Sequence, residues 1–82
     1  MKVIVETNTV FGSGATTHVY IPESGVEYAT DKELQKTMKS LWKADQKFYK
    51  NEIEDCGISE NSAYIYAGDS TVTYEIVEVK TA

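Results

Sequence analysis

The sequence predicts an α+β domain of two layers, in which one long helix lies on one face of a four-stranded, mostly antiparallel sheet, in the order β-β-α-β-β. Short runs rich in β-branched residues lie on both sides of a middle segment that contains neither glycine nor proline, and glycine-containing turns separate these runs. The chain has 82 residues, of which 41% are hydrophobic. This length fits a single domain over residues 1–82.

Four strands are predicted in two pairs. Residues 2–10 and 16–21 form the first pair, and Pro22 ends the second of these strands. Residues 62–67 and 71–80 form the second pair. The order of the strands in the sheet does not follow from these patterns.

A long helix is predicted from Asp31 to about Asp55. Thr30 and Glu33 form a capping box at its start, in which the threonine hydroxyl accepts a hydrogen bond from the amide three residues later. The segment favours good helix formers, and Gly57 is suited to the left-handed cap that ends many helices.

One face of this helix is apolar and is expected to cover the sheet. Its predicted core residues are Leu34, Met38, Leu41 and Phe48, and their predicted neighbours on the sheet are Val3, Val5, Val19, Ile21, Ile65 and Ile76. Asp45 and Glu52 fall inside the same stripe. An unpaired carboxylate is costly to bury, so each must reach solvent, accept a hydrogen bond or mark a bend. We expect the helix to extend beyond the sheet near Glu52.

The opposite face carries the most unusual pattern in the sequence. Six lysines follow one another at steps of three or four residues and form a continuous line, here called the lysine ridge: Lys32, Lys36, Lys39, Lys43, Lys47 and Lys50. The chain has a net charge of −5, and only two further lysines supply its remaining positive charge. Like charges at these spacings cost about 0.2–0.5 kcal/mol per pair, so folding does not require the arrangement.

The lysine ridge has two interpretations. It is either a solvated surface or a docking surface for an anionic partner. Lysine lacks the planar fork with which arginine reads guanine, so the ridge would contact a phosphate backbone or an acidic protein patch without sequence preference. Because the rest of the surface is acidic and would repel free nucleic acid, we expect a larger protein or ribonucleoprotein as the partner. Contact with the backbone of RNA or DNA is the alternative.

Tyrosines in the predicted strands form a second candidate surface, made of Tyr20, Tyr64, Tyr66 and Tyr74. In residues 63–67, alanine and isoleucine alternate with tyrosine, which places Tyr64 and Tyr66 on the open face of the sheet. The alternation at Tyr20 is similar. Such a face suits sheet packing, a protein interface or self-association into homo-oligomers, or base stacking.

No pattern in the sequence indicates an enzyme. Residues 11–17 have the composition of a phosphate-binding loop but lack its lysine and its following helix, so a hairpin turn is the better interpretation. Cys56 is the only cysteine, which excludes an internal disulfide, and no metal-ligand or nucleophile–base spacing is present. We expect no catalytic residues, no metal and no cofactor. No apolar run is long enough for a membrane span, so no membrane partner is expected.

Together these features favour a small, acidic, non-catalytic binding protein that docks on a larger machine and modulates it, with inhibition the expected effect. In size and composition the chain is similar in style to accessory proteins of tailed bacteriophages, including inhibitors of host defence. That resemblance implies a cytoplasmic location, in the host cytoplasm for a viral protein, and a host–virus interaction.

Overall fold

The computed structural model describes residues 2–21 and 30–79. Their elements are β1 (Lys2–Val10), β2 (Gly14–Tyr20), α1 (Asp31–Phe48), β3 (Ile53–Ile58), β4 (Ser62–Ala67) and β5 (Ser70–Glu78). The α+β class and the helix on one face of the sheet are confirmed, whereas the predicted number of strands is wrong: the sheet has five. Pro22 and Lys80, at which the second and the last predicted strands end, lie outside the described residues.

All neighbouring strands of the sheet are antiparallel, in the order β2-β1-β5-β4-β3. The first and last strands of the chain therefore pair at its centre. Their register is regular over its whole length, from Lys2 opposite Glu78 to Val10 opposite Ser70. The remaining pairs are hairpins between consecutive strands, which leaves β2 and β3 as the two edges.

The start of α1 follows the predicted cap. The backbone of Thr30 is extended, and its hydroxyl accepts a hydrogen bond of 3.1 Å from the amide of Glu33. The helix ends at Phe48, with Tyr49 as the C-cap, so the predicted extension to Asp55 is wrong. The amide of Glu52 donates to the carbonyl of Tyr49 and forms a turn that leads into β3.

A β-bulge explains how the residues after α1 join the sheet. Ile53 lies opposite Ala67, but Asp55 lies opposite the adjacent Tyr66, so Glu54 is an extra residue on β3. The inserted residue brings Ile53 and Cys56, three positions apart, to the same side of the sheet, where both contact the core. Gly57 therefore lies inside a strand. The prediction that it caps the helix is wrong.

The core lies between α1 and strands β1, β4 and β5. Leu34 and Met38 of the helix are buried, as predicted. Leu41 is partly buried against them. The buried sheet residues beneath the helix are Ile4, Ala63, Ile65, Ala67, Val72 and Tyr74. Ile65 and the partly buried Ile76 are therefore on the predicted side of the sheet.

Several predicted core residues lie elsewhere. Ile4 faces the helix, so Val3 and Val5 on either side of it face the opposite side of the sheet. Val3 is nevertheless buried there, so its predicted burial is confirmed although it does not contact the helix core. In β2, Tyr20 faces the helix, which directs Val19 to the open face and leaves it 57% exposed. Ile21 is 66% exposed. Phe48 is 79% exposed because the helix ends there, and its ring packs edge-on against Tyr49 with centroids 4.9 Å apart.

Candidate interaction surfaces

The lysine ridge lies on the outer surface of the molecule, opposite the buried side of α1. All six of its lysines are exposed. Five belong to α1, and Lys50 lies in the turn after it. From Lys32 to Lys47 the ridge is about 22 Å long at a rise of about 1.5 Å per residue. The structure thus brings together the six lysines that the sequence singled out.

The lysine ridge has no ion-pair partner among the described residues. Within the described part of the chain, no carboxylate forms an ion pair with any of its six ammonium groups. Lys2, outside the ridge, forms an ion pair of 2.9 Å with Asp31 at the start of α1. Lys43, Lys47 and Lys50, together with Gln46, line a shallow surface depression near the end of the helix.

Hydrogen bonds to the sheet hold the ridge in a fixed position. Trp42 donates its indole N–H to the backbone carbonyl of Tyr64 on β4, at 3.1 Å. Tyr74 of β5 donates its hydroxyl to the carbonyl of Leu41, at 3.3 Å. With Leu34 and Met38 buried below, these contacts oppose rotation of the helix about its axis, so the backbone that carries the lysines is fixed while their side chains stay flexible.

Tyr64 and Tyr66 point away from the helix, on the open face of the sheet. Their ring centroids are 4.9 Å apart. The Tyr64 ring lies across Gly57 of β3, where a Cβ atom would be only 2.8 Å from its Cε1, and its hydroxyl donates to Asp55 at 3.2 Å. Partial burial and the Asp55 carboxylate raise the pKa of Tyr64. Tyr64 is therefore held flat against the sheet, and Tyr66 is the more exposed ring.

The other two candidate tyrosines do not belong to this face, and placing them there is wrong. Tyr74 is 1% exposed beneath the helix, opposite Ala63 and Glu6 in the sheet. Tyr20 is partly buried on the same side. β5 is a central strand covered by α1, so its large apolar positions fill the core, and its open-face positions carry Thr73 and Glu75 instead.

A buried polar cluster under the second half of α1 was not recognised from the sequence. Glu6 is buried, and its Oε2 accepts a hydrogen bond of 2.5 Å from the Tyr20 hydroxyl. This bond, together with burial and the carboxylate charge, raises the pKa of Tyr20 to about 12. Burial and the Glu6 charge also raise the pKa of Asp45. Asn8 donates to the Tyr49 hydroxyl at 3.5 Å. The position of Asp45 within the apolar stripe of the helix was the one sequence feature that could have indicated this cluster.

The glycine-containing loop and the single cysteine have structural roles. The predicted hairpin turn is present, but it is shorter than residues 11–17: the turn between β1 and β2 covers residues 11–13, and β2 begins at Gly14. Gly12 and Gly14 have positive φ angles of 83° and 92°. Cys56 is partly buried, and its Sγ accepts a hydrogen bond of 3.2 Å from the side chain of Gln46. Among residues 2–21 and 30–79, no three His, Cys, Asp or Glu side chains are arranged to hold a metal ion.

The fold and these surfaces define a two-layer α+β domain with a cationic helix on one side and an open sheet on the other. No protein family, characterised protein or solved structure shows significant similarity to the chain. The one helix in the described residues is too polar to cross a lipid bilayer.

Proposed function

We propose that this protein is a small non-catalytic binding protein that docks through its lysine ridge on an anionic surface of a larger protein or ribonucleoprotein and inhibits it. The observation that carries the proposal is the lysine ridge itself. Six exposed lysines of a chain with net charge −5 share one line, and no described carboxylate neutralises them. Interleaved glutamates would give the same solubility with a more stable helix.

The fixed position of α1 supports recognition of a partner. The two hydrogen bonds from Trp42 and Tyr74 hold the helix on the sheet, so the backbone of the ridge does not have to be ordered when it docks. The flexible lysine side chains fit an acidic protein surface without requiring a fixed register. The acidic remainder of the molecule orients it during approach, because an anionic partner attracts the ridge and repels the other sides.

A matched pair of variants tests the proposal. In the first, Lys36, Lys39, Lys43 and Lys47 are replaced by glutamine, and in the second the same four are replaced by arginine, which keeps the charge. Each is used to capture partners from an extract of the source cell, with and without nuclease. We expect the wild type and the arginine variant to retain the same partner after nuclease treatment, and the glutamine variant to lose it.

The alternative function, contact with the backbone of RNA or DNA, gives a different result. Capture would then be lost after nuclease treatment. Binding to a purified duplex or single strand would weaken with salt, and the log–log slope would fall by about 0.7–0.9 for each lysine that contacts a phosphate. If the glutamine variant binds its partner as tightly as the wild type, at the same salt dependence, the ridge is only a solvated surface and the proposal fails.

A further inference from the structure

The part of the β1–β2 hairpin that follows Glu6 differs from the rest of the chain, because residues 7–21 carry no acidic side chain, lysine or arginine. Asp, Glu, Lys and Arg make up 26% of the chain, yet residues 7–21 contain none of them. The hairpin also holds four exposed large apolar side chains: Val10, Phe11, Val19 and Ile21. This segment, here called the charge-free hairpin, contains one of the two edges of the sheet.

The outer strand of the charge-free hairpin has the properties of an edge that accepts another strand. β2 pairs with β1 in unbroken register from Gly14 to Tyr20, with neither a bulge nor a proline. In an antiparallel ladder, alternate residues of an edge strand direct their N–H and C=O groups away from the sheet. Every residue from Gly14 to Val19 is exposed, so the strand is accessible along its length.

The opposite edge shows how this protein protects a strand from pairing. β3 has a bulge at Glu54 and carries a second acidic side chain at Asp55. Charges and bulges are the usual means by which edge strands avoid pairing with other chains. The β3 edge has both a bulge and acidic side chains, whereas the β2 edge has neither. The β2 edge is therefore the one that is open to pairing with another strand.

We propose that β2 is a homodimerisation edge, at which a second copy of this chain pairs with β2 in antiparallel orientation. A second copy is the partner that fits, because a strand without charge meets no like-charge repulsion from its own copy. A two-fold axis at Thr17 lets all seven residues pair, with Thr17 opposite Thr17 of the other copy. On either side of the axis, Thr16 lies opposite His18, Ala15 opposite Val19, and Gly14 opposite Tyr20. The result is a continuous ten-stranded sheet.

The position of α1 permits this dimer. The helix lies over β4, β5 and β1. On the helix side of β2, Thr16 and His18 are exposed, and only Tyr20 at the end of the strand packs against the core. If each helix is centred on β5, five strand spacings of about 4.8 Å separate the two helices by about 24 Å. The two lysine ridges then lie on the same face of the extended sheet and do not contact each other. The dimer forms independently of what the ridges bind.

The structure supplies a matched pair of substitutions to test this edge. Thr17, Thr7 and Thr73 lie in one row across the open face, on β2, β1 and β5. Thr17 and Thr73 are both exposed, and only Thr17 is on the edge. In Thr17→Lys, two ammonium groups meet at the two-fold axis. Thr73→Lys adds the same charge to the same face, two strands further from the edge.

Analytical sedimentation measures the oligomeric state of the three proteins. The concentration should cover about 10 µM to about 1 mM, because two short strands bury less area than a standard interface and form a weak dimer. We expect the wild type and Thr73→Lys to shift from monomer to dimer over this range, and Thr17→Lys to remain a monomer with an unchanged circular dichroism spectrum. Amide exchange by NMR gives a second measurement. About half of the β2 amides should gain protection as the wild-type concentration rises.

Three results would overturn the proposal. The first is a wild-type protein that stays monomeric over the whole range. The second is a dimer that Thr73→Lys disrupts as strongly as Thr17→Lys, since association would then use the open face. The third is association that the glutamine variant of the lysine ridge abolishes, since the contact would then be between the ridge and an acidic surface of another copy.

Discussion

At the scale of single residues, Met38 and Phe48 show why an apolar side chain on the correct helix face is not sufficient evidence of burial. Both fall within the apolar stripe of the sequence. Met38 lies over the middle of the sheet and is fully buried, whereas Phe48 is the last residue of α1 and is 79% exposed. Only the point at which the helix ends decides between these two outcomes.

Truncation of the two residues should therefore have unequal effects on stability. We expect Met38→Ala to lower the free energy of unfolding by about 2–5 kcal/mol, because it leaves a cavity in the core. Phe48→Ala should cost less than about 1.5 kcal/mol, since it loses only the edge-on contact with Tyr49. Urea denaturation of both variants measures the difference. Equal losses would mean that Phe48 contributes to the core.

The buried polar cluster gives a prediction on pH. Because burial and Glu6 raise the pKa of Asp45 above its ordinary value of 3.8, the native state holds this proton more tightly than the unfolded chain does. The contribution of Asp45 therefore lowers the free energy of unfolding as pH rises from 3.8 through the folded pKa. Below 3.8 both states are protonated and the effect is absent.

Asp45→Asn removes this contribution. At pH 7 we expect the variant to be more stable than the wild type by about 0.5 kcal/mol, since solvent screens a half-buried carboxylate. The two stabilities should converge as the pH falls below 3.8. Thermal unfolding across the acid range tests this, with Glu60→Gln, an exposed carboxylate between β3 and β4, as the control for charge. A constant difference at all pH values would contradict the assignment to Asp45.

At the scale of the elements, the sequence was most informative where local chemistry decides the structure. The cap at Thr30 depends on one side chain and the amide of Glu33, and it formed as predicted. The boundaries of β1 and β4 also agree with the predicted strands. In each case the determining interactions lie within a few residues, or the alternation of large and small side chains is unambiguous.

The end of α1 could not be predicted because a distant strand determines it. Residues 49–56 contain no glycine or proline and are compatible with a helix. Residues 49–52 instead form a turn, and the chain continues as β3 because the edge of β4 offers a ladder of backbone hydrogen bonds and places Ile53 and Cys56 against the core. Similarly, Val3, Ile4 and Val5 are all apolar, so the pattern alone cannot tell which of them faces the helix. Packing overrides propensity in both cases.

The lysine ridge itself gives an element-scale prediction. Replacing Lys36, Lys39, Lys43 and Lys47 by glutamine removes the four like-charge pairs that lie within α1. Each pair costs about 0.2–0.5 kcal/mol, so the free energy of unfolding should rise by about 0.5–2 kcal/mol at low salt. The gain should shrink at high salt, where the repulsion is screened. Urea denaturation at two salt concentrations provides the test. A less stable variant would mean that the ridge stabilises the fold.

At the scale of the whole molecule, the central pairing of β1 with β5 joins residues far apart in the sequence. Lys2 lies opposite Glu78, and the two strands contribute Ile4, Val72 and Tyr74 to the core. A loop of almost the entire chain must close before this ladder forms. Proteins with such contacts fold slowly compared with helical proteins of equal size.

A circular permutant tests the kinetic cost of this closure. In a chain that begins at Asp69 and ends at Gly68, with Ala82 joined to Met1, β5 precedes β1 and their pairing becomes a local hairpin. We expect refolding to accelerate, with about the same free energy of unfolding as the wild type. Stopped-flow fluorescence of Trp42 measures the refolding rates of the permutant and of the wild type. A permutant that refolds at the wild-type rate would show that the β1–β5 ladder forms after the rate-limiting step.

The same ladder has a consequence during protein synthesis. β1 ends at Val10 and its partner β5 begins at Ser70, so the ribosome must add 60 residues, from 11 to 70, before pairing can start. At about 5–20 residues per second, this takes about 3–12 s. During that interval the charge-free hairpin has no sheet to join. The nascent chain thus presents an uncharged, strand-forming segment at the tunnel exit, where a ribosome-bound chaperone that recognises uncharged extended segments can bind it.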